Sequence, residues 1–218
     1  IGRSALAANT SANFNVAIGR AAMLSNTTGT NNTAVGSLAL QTITDGLACT
    51  AIGHSALENN TATANTVVGA DAAKNNTTGS LHTVVGKDAL FSNTTGIRNT
   101  VMGFAAMEAN TTGSYSTAVG YNALGDSNQD GNTAIGYQAM DASTGADSCV
   151  AVGTEALRNA TGDDNVAVGR YALNANTSAA RNTAVGYRAG KSLTTGGENV
   201  VIGRDAALNA TTVDTSVV

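Results

Sequence analysis

Thirteen glycines recur along the 218-residue chain at a fixed interval: Gly2, Gly19, Gly36, Gly53, Gly69, Gly86, Gly103, Gly120, Gly136, Gly153, Gly169, Gly186 and Gly203. Nine of the twelve gaps are seventeen residues and three are sixteen. A period this strict describes one short unit repeated in series, each copy touching only its neighbours. It does not describe a globular domain with one central core. It also argues against an enzyme. An array offers the same surface many times, whereas a catalytic site needs several different residues converging once.

With the recurring glycine as position zero, the consensus reads N-T-A-V-G-x-x-A-L-x-x-N-T-T-G-x-x. An aliphatic residue or Met precedes every glycine, and Ala stands three places after each one. The next position is Leu or Met in ten units; Ala73, Gly190 and Ala207 are the exceptions. These apolar residues form two short clusters, A-V and A-L, rather than a helical stripe. Thr and Val crowd the first cluster, which favours strand. Asn, Thr and Gly fill the gaps, which favours tight turns. Two short strands and two bends in about seventeen residues make one coil of a parallel β-solenoid, and helical repeats need roughly twice that length.

The sequence therefore predicts an all-β solenoid of about 13 coils, stacked at ~4.8 Å and spanning roughly 60 Å. Structural ladders are expected along Gly36, Gly53 and Gly86, along Ala39, Ala56 and Ala89, and along Asn32, Asn99 and Asn132. The aliphatic residues before the glycines, such as Val35, Ile52 and Val68, are expected to stack in a buried column. Trp is absent and aromatics are 4%, which suits a core too narrow for rings. Pro is absent too, as expected where backbone N–H groups are committed to a ladder. The fixed Ala has two readings: it fills a cramped corner inside the coil, or it sits at a close contact between chains.

Charged residues are 12% and the net charge is −4, without the clustered positive charge of nucleic-acid binders. No apolar run approaches the ~20 residues of a membrane span. Solubility rests on Asn, Thr and Ser, a surface common in extracellular rods. Ile1-Gly2 reads as the end of a strand, and Ser216-Val217-Val218 matches the run that elsewhere leads into I-G. Residues 1–218 thus read as a single array cut inside a repeat at both ends.

Few residues suggest chemistry. Cys49 and Cys149 share the repeat position four before the glycine, where eight of twelve units have Asn. Six coils separate them, roughly 29 Å, whereas a disulfide needs Cα atoms within about 7 Å. They read as small buried substitutes for Asn. His54 and His82 have no Cys, His or Asp cluster around them, so no metal or cofactor is called for. Eleven N-x-S/T matches occur, among them Asn26, Asn93 and Asn110; an Asn-Thr repeat generates these by composition, and glycosylation is the competing reading. The N-T-T segments would form a Thr face of the ice-binding kind only if regular, and Ala62, Gln129 and Gly145 interrupt it. The row just after the glycine carries Phe104, Tyr121, Tyr137 and Tyr187. The first three would stack on successive coils. An exposed aromatic stripe of this kind is a candidate contact surface for sugars or proteins.

The units N-V-A-I-G at 15–19, N-T-A-V-G at 32–36, N-T-A-I-G at 132–136 and N-T-A-V-G at 182–186 resemble the head repeats of trimeric autotransporter adhesins. The fuller form, N-T-A-I-G-Y-Q-A-M at 132–140 with N-T-T-G at 93–96, is similar to arrays in tail-fibre proteins of phages and bacteria. The resemblance covers essentially the whole chain. It implies a left-handed parallel β-roll, three chains side by side, outside the cell or virion. The expected role is mechanical and adhesive: a homotrimeric fibre segment whose partners are its own copies and a host surface glycan or matrix protein. The shaft of a phage tail fibre, with its receptor-binding tip elsewhere, is the alternative, and an ice-binding solenoid a remote one.

Overall fold

A computed structural model describes residues 1–218. The chain is all-β and contains no helix. It divides into two compact units, Ile1–Gly113 and Ser114–Val218. The first holds β1 (Val16–Ile18), β2 (Thr33–Val35), β3 (Thr50–Ile52), β4 (Thr66–Val68), β5 (Thr83–Val85) and β6 (Thr100–Met102). The second holds β7 (Thr117–Val119), β8 (Thr133–Ile135), β9 (Val150–Val152), β10 (Val166–Val168), β11 (Thr183–Val185) and β12 (Val200–Ile202). Within each unit successive strands pair in parallel and in register, so β2 lays Thr33, Ala34 and Val35 beside Thr50, Ala51 and Ile52 of β3. This is the parallel β-solenoid that the period predicts, with one strand before each glycine from Gly19 onward.

The inward side of the strand is the opposite of the expected one. Val35, Ile52 and Val68 do not form a buried column. Ile52 is 40% exposed and Val35 and Val68 are half-buried, while Ala34, Ala51 and Val67 beside them are fully buried. The cause is the strand's period of two. Both residues of the A-V pair are apolar, so composition does not say which faces in. The interior is already filled from the far side by Met23, Leu40, Leu57, Leu90, Met107, Leu124, Met140, Leu157 and Leu173, all essentially buried. What remains opposite them accepts Ala or Val only.

Those Leu and Met residues reach inward from a left-handed backbone: Leu40 has φ 50°, Leu90 54° and Leu124 54°. A left-handed conformation costs about 1–2 kcal/mol for a residue with a Cβ. Burying a Leu side chain returns about 1.5–3 kcal/mol. The recurring glycines solve a different problem. Gly86 has φ +144°, a backbone region open essentially to glycine alone. A Cβ added at Gly36, Gly53 or Gly86 would also press into the carbonyl of the next glycine in the stack.

The fixed Ala lies inside the coil. Ala39, Ala56, Ala89 and Ala123 are completely buried within the single chain, and each N–H faces the preceding glycine carbonyl, as in Ala39 to Gly36 at 3.4 Å. Ala123→Leu should therefore destabilise by about 1–3 kcal/mol through overpacking. Tyr121 is 46% exposed, and its ring stacks on Tyr137. Tyr121→Ala should cost nearer the 0.5–1.5 kcal/mol of a ring pair. Urea unfolding of the two variants checks this ranking, and a neutral Ala123→Leu beside a severe Tyr121→Ala refutes it.

Candidate interaction surfaces

One wall of the coil interior is polar and carries its own ladder. Asn32 donates its side-chain amide to the Gly46 carbonyl at 2.8 Å, and its Oδ1 accepts the Cys49 N–H at 2.9 Å. The same pair of bonds recurs at Asn65, Asn132, Asn165, Asn182 and Asn199. Asn99 repeats the donation, to Gly113 at 2.8 Å. Every Asn of this row thereby spends its amide on the neighbouring coil.

Substitutes in this row keep an acceptor in the same place. Cys149 Sγ accepts the Asn165 N–H at 3.4 Å, and Ser116 Oγ accepts that of Asn132 at 3.2 Å. His82 Nδ1 accepts the Asn99 N–H at 3.2 Å. Cys49 and Cys149 are both free and buried, as small replacements for Asn. Burial pushes both thiols up, Cys149 to about 11, so neither is poised as a nucleophile. His82 is 2% exposed; burial pulls its pKa down to about 4, against the weaker raising effect of its backbone hydrogen bonds at Gly96 and Asn99. It is therefore a neutral structural group. His54 lies apart, on the surface, 3.8 Å from Asp71.

A second interior row accounts for the glycosylation motifs singled out above. Asn26, Asn93 and Asn110 are completely buried. Each donates to a carbonyl three residues on, as Asn93 does to Gly96 at 3.2 Å. Asn93 and Asn110 also link amide to amide, at 2.9 Å. An oligosaccharide on any of the three has no path out of the folded coil. Thr27, Thr77 and Thr94 follow in an outer row, where each hydroxyl donates to the backbone carbonyl of the next coil's Thr at 2.8–3.1 Å. Their hydroxyl protons are thereby committed to coil stacking.

Two surfaces remain open. The first is the outward face of the sheet. In the first unit Ile18, Ile52, Val85 and Met102 are 37–51% exposed; in the second Ile135, Val168, Val185 and Ile202 are 36–60% exposed. Thr and Val accompany them two residues earlier, and no position of either row is charged. The second is the turn row after the glycines. Phe104, Tyr121 and Tyr137 are 45–49% exposed there, and Tyr187 is half-buried. Tyr121 and Tyr137 stack at 5.4 Å with ring planes 13° apart. Phe104 belongs to the other unit, where Lys87 Nζ lies 5.2 Å from its ring centroid. Around Tyr187 the structure gathers residues that a single-row reading does not join: Tyr171 is edge-on at 6.5 Å, and Arg188 lies over the Tyr187 ring at 4.7 Å. Arg188 follows Tyr187 directly in the chain, whereas only stacking of the coils brings Tyr171 beside it.

No helix is long and apolar enough to cross a membrane, and no group of three or more His, Cys, Asp or Glu is placed to hold a metal ion. Comparisons with protein-family models, curated proteins and solved structures find no match to this chain.

Proposed function

We propose that this chain is a structural and adhesive segment of an extracellular homotrimeric fibre. The observation that carries the reading is the uncharged, half-exposed aliphatic face repeated on every strand. Monomeric proteins rarely leave contiguous apolar surface of this kind open. The natural occupant is a second and third copy of the same face. Identical neutral rows meet without like-charge repulsion, and the shared period keeps them in step. Each half-exposed Val or Ile taken out of water contributes on the order of 1 kcal/mol. Association costs about 4–15 kcal/mol, so one coil could not hold chains together, whereas twelve strands can. The narrow interior points the same way, since a chain whose inward strand row is Ala and Val gains from burial between copies. The mostly uncharged, Asn- and Thr-rich surface suits an extracellular rod.

Light scattering of the purified chain tests this. The expected mass is three times the 21.6 kDa of one chain. Val85→Lys with Ile135→Lys, one on the outward face of each unit, should reduce it to a single chain while keeping the β-type circular dichroism. A folded wild-type monomer at micromolar concentration would falsify the proposal.

A further inference from the structure

The turn position directly after the recurring glycine is Arg or Lys at Arg3, Arg20, Lys87, Arg170 and Arg204. The last three each find a partner in the next residue of the chain. Lys87 pairs with Asp88, Arg204 pairs with Asp205 at 3.3 Å, and Arg170 lies over the Tyr171 ring at 4.6 Å. Arg3 and Arg20 are followed by Ser4 and Ala21 instead, and neither forms an ion pair or a ring contact. Residues 1–44 contain no Asp or Glu at all. Glu58, which continues the row of Leu24 and Gln41 on the next coil, is taken by Lys74 at 3.7 Å.

The two unpaired cations stand on successive coils, a spacing of ~4.8 Å along the stack. Their turns are fixed to one another by backbone. The Ala21 N–H donates to the Arg3 carbonyl at 2.8 Å, and the Leu38 N–H to the Arg20 carbonyl at 2.9 Å. Arg3 and Arg20 line one hollow of about 250 Å³, within the first unit. Ser4 and Gln41 add polar groups to it, and Leu24 and Leu38 add apolar surface. Ala21 lies buried between Ser4 and Leu38 in the same row, and its small side chain leaves the space open. Two like charges one coil apart repel, and no acid of the hollow answers them. Each guanidinium keeps its whole fork of donors for a group from outside.

We infer that this hollow binds an organic phosphate monoester, with the phosphate between the Arg3 and Arg20 guanidiniums and the carbon body against Leu24 and Leu38. Charge selects the phosphate. A monoester carries about −1.5 to −2 near neutral pH, which matches two cations that no carboxylate offsets. A carboxylate or a sulfate ester carries a single charge and leaves one of the two unanswered. Guanidinium forks take phosphate oxygens bidentately, and the Ser4 hydroxyl is a further donor. The apolar lining selects an ester over the free ion, because inorganic phosphate leaves Leu24 and Leu38 in water. The site lies on the turn rows and not on the outward strand rows, so it goes beyond the fibre reading and does not depend on it.

Phenyl phosphate is the probe, titrated calorimetrically against the full chain beside phenyl sulfate, benzoate and inorganic phosphate. It should bind once per chain, weaken as salt rises, and exceed each of the other three about tenfold. Arg20→Ala should lower its affinity at least tenfold. Arg20→Lys should weaken it too, since the charge stays and the fork is lost. Ala21→Leu fills the hollow without touching either cation and should abolish binding. Lys87→Ala, at a cation that already has its carboxylate, should leave the affinity unchanged. Circular dichroism confirms that each variant keeps its β-type spectrum, and the exposed Arg20 carries the test should Ala21→Leu fail to fold. No binding by the wild-type chain, equal binding of phenyl sulfate, benzoate or inorganic phosphate, or an unchanged affinity in Arg20→Ala would each overturn the inference.

Discussion

Gly136→Ala is expected to unfold the second unit or come close to it. Gly136 has φ +140°, and a Cβ there would stand 2.6 Å from the Gly153 carbonyl oxygen and 2.7 Å from its carbon. Backbone strain of this kind costs about 1–3 kcal/mol. Overpacking against a neighbour that is itself backbone, and cannot swing aside, adds about 1–3 kcal/mol. Gly145→Ala is the matched control. Its φ lies outside the left-handed region, and the added Cβ would meet Thr161 at 3.4 Å, an ordinary contact. That change should be neutral or stabilise by about 0.4–1 kcal/mol through the unfolded chain. Urea denaturation of both variants reads the difference. Equal midpoints would mean that the glycine row is not a close backbone stack.

Acidification should destabilise the first unit through His82. The unfolded chain takes up this proton near pH 6.5, the folded chain only near pH 4, because burial disfavours the imidazolium. The stabilising effect is therefore complete above pH 6.5 and is lost as pH falls from there toward 4. A separation of that size is worth about 3 kcal/mol. The groups around the ring are amides and backbone. Asn99 donates its N–H to Nδ1, and the Asn93 amide lies 3.4 Å from Nε2. A protonated Nδ1 would turn a donor toward that N–H. His82→Asn restores the residue that dominates this row and removes the titration. The variant should match wild type at pH 7 and exceed it at pH 4 by about 3 kcal/mol in chemical unfolding. Parallel pH profiles would show that the ring is not the group lost on acidification.

Much of this site chemistry was legible in outline. Cys49 and Cys149 read as buried substitutes for Asn because they share its repeat position, and they are so placed. Phe104, Tyr121 and Tyr137 are exposed on the turn row, as an outward aromatic stripe requires. The Tyr171 partner of Tyr187 was not legible, since it falls on another repeat position of the preceding coil. Only the wrap of one coil on the next sets it beside that ring.

The sequence by itself determined the coil. A glycine every sixteen or seventeen residues, an Ala three places later and Asn at the turns leave no architecture but short parallel strands stacked in register. It could not determine which side of those strands is inside. Ala34 and Val35 are both apolar, and the usual preference for burying the larger residue points the wrong way. The tertiary structure decided that question through volume. Leu and Met residues held in a left-handed backbone fill the coil from the opposite wall. The strand can then offer only Ala or Val inward, and it turns its Val and Ile outward. The same crowding hides Asn26, Asn93 and Asn110, whose motif reads as a surface signal in the sequence. Burial there follows from what the neighbouring coil needs, a carbonyl to be capped and an amide to be met, and no local pattern encodes it.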